Sequence, residues 1–165
     1  MTPAVLQFEF VAPGNSAPVP LAPDALWVDV GNGGDDAVLD HHQGGAADSA
    51  AAMVLGRAPL LLRRFGGLPA VRVTTHRRPD LDAVTACWLV SCLLRRGALP
   101  CGAAQLAAEV SRHDQGREGH HGDAASDLGL VMAVALEAAG DDLARLDAGF
   151  AVLDRVAGQM EAGVA

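Results

Sequence analysis

The sequence predicts an α/β domain with a mainly parallel sheet flanked by helices and a helical C-terminal tail. Three observations carry this expectation. Strand-like and helix-like segments alternate as far as Arg96, the pattern of sheets built from strand–helix–strand units. The segment from Asp82 to about Arg96 is apolar on nearly all sides, as in a helix enclosed by a sheet and its neighbours. From about residue 103 onward the chain reads as wholly helical. With 165 residues, half of them apolar, a single domain spanning 1–165 with its own core is expected.

Taken in order, Ala4–Val11 alternates loosely and contains Val and Phe, as a first strand would. The Pro/Gly/Ser-rich stretch Ala12–Asp24 predicts an ordered but irregular loop. Leu26–Val30 is a second strand, with Asp29 near its carboxyl end. The run Gly31-Asn32-Gly33-Gly34-Asp35-Asp36 turns the chain sharply, and Ala37–Leu39 begins a short third strand leading into Asp40-His41-His42. After Gly44-Gly45, the alanine-rich segment from Ala46 to about Arg64 has high helix propensity, divided by Gly56 and Pro59. Ala70–Thr75 is the clearest strand, with Val71, Val73 and two threonines. Helices are expected over Asp82–Arg96, Ala103–Arg112, Ala125–Ala139 and Asp141–Met160. In the last of these, Leu143, Leu146, Phe150 and Leu153 form a stripe suited to core packing or a homodimer contact.

Composition narrows the function classes. Net charge is −8, from 12 Lys+Arg against 20 Asp+Glu, and all the bases are arginine. Long nucleic acids are poor partners for such a surface, because their non-specific binding depends on basic residues releasing counterions. A small phosphorylated substrate is still accommodated, since a local arginine pair and a metal override the global sign. The three cysteines, Cys87, Cys92 and Cys101, are odd in number and clustered, which suits core thiols better than a disulfide framework. The apolar run Val5–Val11 is broken by Gln7 and Glu9 and does not read as a signal peptide. Cys87–Leu94 is too short to span a bilayer. A cytoplasmic protein without membrane partners is expected.

Three short stretches are crowded with metal-binding side chains: Asp29 leading to Asp40-His41-His42, then His76 with Asp80 and Asp82, then His113-Asp114. Carboxylates mixed with imidazoles, with no cysteine among them, suit Mn²⁺ better than a structural zinc. The ligands are too many for one tetrahedral ion, and a two-metal hydrolytic site is the natural reading. In His76-Arg77-Arg78-Pro79-Asp80-Leu81-Asp82-Ala83, Pro79 is expected to push Arg78 into an extended conformation and stiffen the loop. Asp80 and Asp82, two apart, share one side of an extended chain. Asp82 would stand at the helix start, where the dipole and free N–H groups favour anions such as a substrate phosphate. Two adjacent histidines point in different directions, so one can bind metal while the other faces substrate. Asp40 is placed to orient a histidine ring. Strand ends are where α/β sheets gather ligands, so these sequence-distant groups can meet.

These motifs, Val28-Asp29-Val30-Gly31 with Asp40-His41-His42-Gln43 and the His-x-x-Pro-Asp-x-Asp-Ala run, resemble the DHH phosphoesterase superfamily. The wording is similar to that of its Myg-type exonuclease branch. The likeness runs from Trp27 to about Gly116, with the motif order circularly permuted, Arg78 at the usual asparagine, and no room for the second, substrate-binding domain. Gly119-His120-His121-Gly122 is only faintly like that domain's glycine–histidine motif and reads as solvated surface.

The resemblance implies a DHH-like, Rossmann-type domain and two divalent ions, Mn²⁺ before Mg²⁺ or Co²⁺. His76, Asp80 and Asp29 would hold one; Asp82, His41 and a last aspartate, best matched by Asp114, would hold the other, with Asp29 bridging. His42 would face the substrate and protonate the leaving group, while Arg77 or Arg78 stabilise charge on the phosphoryl group. The expected function is a metal-dependent phosphohydrolase acting on a nucleotide, short oligonucleotide or polyphosphate. Two alternatives stand beside it: a non-catalytic metal-binding or regulatory module that keeps the fold, and an HD-type phosphohydrolase, suggested by His113-Asp114.

Overall fold

The computed structural model describes residues 4–42, 49–114 and 124–163. Four strands, β1 (Val5–Val11), β2 (Ala25–Val28), β3 (Val38–Leu39) and β4 (Ala70–His76), form one sheet in the order β1-β4-β2-β3. All three pairings are parallel. The helices are α1 (Ala50–Phe65), α2 (Leu81–Arg96), α3 (Ala103–Asp114), α4 (Ala124–Glu137) and α5 (Asp142–Glu161). The expected fold class is therefore the observed one.

Register explains the layering. Leu6 and Phe8 of β1 lie beside Val71 and Val73 of β4, and Leu26 of β2 lies beside Val73. These side chains share one face and join the main core, to which α1, α2, α3 and α5 contribute Val54, Leu89, Leu106 and Leu153. On the opposite parity, Trp27, Val30 and Val38 form a small second cluster with Val11, Ala17 and Leu21. The irregular loop before β2 thus roofs the sheet there. β2 is buried at all four positions, whereas β1 alternates between exposed and half-buried residues, as befits an edge.

α2 fulfils its apolar pattern. Every residue from Leu81 to Leu94 is buried, and the helix packs against α1, α3, α5 and the sheet. Trp88 places its indole N–H 2.9 Å from Asp154 Oδ1 of α5, so its one polar atom is satisfied in the core. The helix closes on Gly97, whose φ of 74° suits a residue without Cβ.

Three local expectations are corrected. α1 is one helix from Ala50 to Phe65 with Pro59 inside it, not two pieces divided at Gly56 and Pro59. Packing against α2 and α3 outweighs the single backbone bond that Pro59 cannot make. α3 continues through His113 to Asp114, two residues beyond the expected Arg112. In α5 the apolar stripe is real at Leu146 and Leu153, but Leu143 is 51% exposed. The Gly44-Gly45 turn, the Ala46 helix start and the Gly119–Gly122 segment lie outside the described residues.

Because all strands run in parallel, their carboxyl ends share one edge. β2 lies between β4 and β3, so the residue after β2 is flanked by the ends of both neighbours. That residue is Asp29; its flanks are His76 and Asp40-His41-His42.

Candidate metal centre

Asp29 is buried and holds a φ of 58°, a left-handed conformation that a short carboxylate side chain tolerates better than most. Its two oxygens face opposite ways along the sheet edge. Oδ1 lies 3.3 Å from His41 Nε2, and Oδ2 lies 3.3 Å from His76 Nε2. One carboxylate thus separates two imidazoles.

On the His41 side, the same Nε2 is 3.4 Å from Asp82 Oδ2 and 3.7 Å from Asp114 Oδ2. On the other side, His76 Nε2 is 4.0 Å from Asp80 Oδ1. All six residues expected to hold metal are brought together, and they divide three ways: Asp82, Asp114 and His41 on one side, Asp80 and His76 on the other, Asp29 between.

The chemistry of these groups fits a cation. Asp29 Oδ1 and His41 Nε2 are both buried without a hydrogen-bond partner, although they point into the same space. Leaving such atoms unpaired is costly, which makes an ion between them the economical explanation. Donor atoms about 2.0–2.2 Å from a common ion lie roughly 3.0–3.6 Å apart, close to the spacings around His41. Asp29, His76 and Asp80 present a second set within 4.8 Å of one another, and Asp29, His41 and His42 do the same. The ring of His76 adds an independent pointer. Its Nδ1 lies 3.0 Å from the Arg77 carbonyl, which only accepts, so Nδ1 carries the hydrogen. Nε2 then faces two carboxylates and requires a proton or a metal ion between.

Without metal, protons take that place. Asp29 and Asp82 beside His41 push its pKa up to about 10. Burial works to lower that of His76, but Asp29, the Arg77 carbonyl and Asp80 outweigh it and raise the value to about 9. Burial likewise opposes ionisation of Asp29, yet the two imidazoles hold its carboxyl below the ordinary range. Burial raises Asp82 and Asp114, the former despite His41 beside it.

The supporting contacts explain why these side chains point as they do. Asp80, not Asp82, is the N-cap of α2: its Oδ1 accepts from the backbone N–H groups of Asp82 and Ala83, both at 3.1 Å. The expected phosphate site at that helix start is therefore filled by the protein's own carboxylate. Asp82 turns instead to α1, where Ala50 N–H donates to Oδ2 at 2.6 Å and Ala51 N–H to Oδ1 at 2.9 Å. The positive end of α1 thus faces a buried carboxylate. Ser49 caps α1 through Ala52 N–H, and its hydroxyl lies 2.7 Å from that of Ser111, one helical turn before Asp114.

Asp40 orients His42 rather than His41. Its Oδ1 is 2.8 Å from His42 Nδ1 and 3.0 Å from the His42 backbone nitrogen, while Oδ2 accepts from Asn32 N–H at 2.8 Å. Burial opposes ionisation of Asp40, but these donors hold its carboxyl below the ordinary range. The His42 ring is 56% exposed, with Nδ1 3.7 Å from Asp29 Oδ1. It is engaged on one nitrogen and open to solvent over much of its surface.

Arg77 and Arg78 are both exposed. Arg78 is not extended, as the following proline suggested; its φ is 54°. Its backbone N–H donates to Asp142 Oδ1 at 2.6 Å, and its guanidinium lies 3.9 Å from Glu137. Tertiary contacts with the tail override the local preference. The His113 ring packs against α4, where a Cβ at Gly129 would come within 3.0 Å of it.

Sequence reasoning missed Ser49, Ser111 and Asn32. The signal for Ser49 was its place just before an alanine-rich helix, where serine is a preferred cap. Ser111 and Asn32 carry no local signal, because their roles depend on contacts across the fold. No family model, curated protein or solved structure matches the chain.

Proposed function

We propose that the chain is a two-metal phosphohydrolase of the DHH type, acting on a small phosphorylated substrate such as a nucleotide, short oligonucleotide or polyphosphate. One observation carries the reading: the Asp29 carboxylate presents one oxygen to His41 and the other to His76, each at 3.3 Å. A bridging carboxylate with an imidazole and further carboxylates on either side is the donor set that two closely spaced hard or borderline ions require. His41, Asp82 and Asp114 would hold one ion; His76 and Asp80 would hold the other; Asp29 would be shared. Mn²⁺ suits the mixture of oxygen and nitrogen donors, with Mg²⁺ or Co²⁺ as substitutes. Two such ions, when bound, acidify water and neutralise the charge of a phosphoryl group.

The chain's own residues supply the rest. Asp40 fixes the His42 ring, which is exposed beside Asp29 and suited to donate a proton to the leaving oxygen. Arg77, exposed at the end of β4, offers a guanidinium for phosphoryl oxygens. Arg78 offers a weaker case, since its guanidinium already faces Glu137. The acidic chain and its few aromatic residues favour a small ligand over a long strand. No helix among the described residues is long and apolar enough to cross a membrane.

The HD-type alternative sits badly with a four-stranded parallel sheet and with Asp29 between the histidines. The test is a screen of phosphorylated metabolites, short oligonucleotides and a generic aryl phosphodiester, with Mn²⁺ added and metal content measured on the same preparation. Mn²⁺-dependent turnover abolished by Asp80→Ala supports the enzyme. Bound metal with no turnover of any substrate would favour the non-catalytic module.

A further inference from the structure

The helical tail lies beyond the metal-binding motifs, yet the junction between α4 and α5 grips the loop between β4 and α2. Asp142, in the first turn of α5, accepts from the Arg78 backbone N–H at 2.6 Å. Arg145, one turn later, donates through Nε to the Pro79 carbonyl at 3.4 Å and through Nη1 to the Leu136 carbonyl of α4 at 2.6 Å. Asp142 is not needed to cap its helix, because Asp141 does so through Ala144 N–H at 2.8 Å. Its carboxylate is committed to the loop.

The loop has reason to need holding. Among the described residues, the non-glycine positions at positive φ are Asp29, Asn32 and Arg78. Aspartate and asparagine adopt that conformation readily; arginine does not, and Pro79 further restricts the residue before it. Pro79 also has no N–H with which the loop could anchor itself. Arg77 is anchored by its N–H to the Val11 carbonyl at 2.7 Å and by His76 Nδ1 on its carbonyl at 3.0 Å, whereas the backbone contacts of Arg78 and Pro79 come from the tail. Immediately on either side stand His76 and Asp80.

We infer that Asp142 and Arg145 are positioning residues, holding the strained loop so that His76 and Asp80 converge on Asp29; the functional consequence rests on the metal-site reading above. Their grip makes the α4–α5 hairpin part of the machinery of one half of the centre. The His41 half depends on it less, because the Asp82 side chain is also held by the Ala50 and Ala51 N–H groups of α1 and Asp114 stands on α3.

Amide hydrogen exchange tests the grip without metal, on four proteins: the unsubstituted chain, Asp142→Ala, Asp142→Asn, and Asp142→Ala combined with Arg78→Gly. Asp142 is half-buried and its helix keeps the Asp141 cap, so the variants should fold, and Asp142→Asn keeps the accepting oxygen. Asp142→Ala should speed exchange at residues 77–83 roughly tenfold or more, the scale of a charge-assisted hydrogen bond, while residues 49–52 are unchanged. Asp142→Asn, which keeps the acceptor but loses its charge, should fall between Asp142→Ala and the unsubstituted chain. Arg78→Gly should restore protection in the Asp142→Ala background, because glycine adopts the loop conformation without strain. Unchanged exchange at 77–83, equal acceleration at 49–52, or no recovery with glycine would overturn the inference. A Mn²⁺ titration of the same proteins then reads the consequence: one site weakened in Asp142→Ala, the other kept, and the first recovered with Arg78→Gly. If the unsubstituted chain binds no Mn²⁺, the proposed function fails, while the exchange result still decides the grip.

Discussion

Asp29 Oδ1 and His41 Nε2 stand 3.3 Å apart, both buried, and neither completes a hydrogen bond. Neither meets a backbone partner of the kind that Asp82 has in the Ala50 and Ala51 N–H groups. Instead both are held open toward the same space by strand ends on adjacent strands. That arrangement is intelligible as a place for a cation, or for the proton that His41 carries without one.

Asp40 should matter to turnover more than to metal content. It contacts His42 and Asn32, not the groups around His41 Nε2. Asp40→Ala is expected to lower turnover roughly 10–100-fold, the usual cost of losing a residue that orients a working histidine. Steady-state kinetics beside metal analysis checks this. Equal losses of bound metal and activity would show that Asp40 acts on the metal instead.

The metal-free chain should weaken as pH rises through the alkaline range. His41 and His76 have pKa values raised to about 10 and about 9, above the ordinary 6.5. Raised folded-state values mean their stabilisation is fully present below about pH 6.5 and is lost as pH climbs through 9 to 10. Bound metal replaces the protons on these rings, so Mn²⁺ binding should release protons and tighten with pH across the same window. Calorimetric titrations in buffers of different ionisation enthalpy measure the release. Binding that neither releases protons nor tightens above pH 6.5 would contradict the placement of metal at these rings.

Ser49→Ala should destabilise the fold. The hydroxyl caps α1 and pairs with buried Ser111, so its removal deletes an N-cap and strands a buried polar atom. A loss of about 1–3 kcal/mol is expected, read from the shift in a denaturant midpoint at constant slope. Replacing both serines by alanine should cost less than the sum of the single losses, because no orphaned hydroxyl remains. Strict additivity would mean that the pair is not coupled.

The candidate centre was partly legible in sequence because Asp29, His41 and His76 lie at strand ends, and parallel strands bring their ends to one edge regardless of the details of packing. Asp29, His41 and His76 could therefore be placed together without knowing the order of the strands. What local reading could not supply depended on partners far along the chain. Nothing near Pro79 announces that Asp142 will hold Arg78 in a left-handed conformation, and the proline alone argues for the reverse. Nothing near Asp82 tells that α1 will offer it two N–H groups, leaving Asp80 to cap α2. Pro59 misled for the same reason: its effect on an isolated helix is overridden by packing against α2 and α3.

Isothermal titration of the chain with Mn²⁺, compared with Asp29→Asn and Asp80→Asn, tests the shared carboxylate most directly. Asparagine keeps the shape of Asp29 and removes its charge, so Asp29→Asn should weaken both ions, on the order of 100-fold or more each. Asp80→Asn should weaken one and spare the other. The account predicts two Mn²⁺ per unsubstituted chain, with Asp29→Asn affecting both. An unsubstituted chain that binds no Mn²⁺, or an Asp29→Asn chain that still binds two at full affinity, would contradict it.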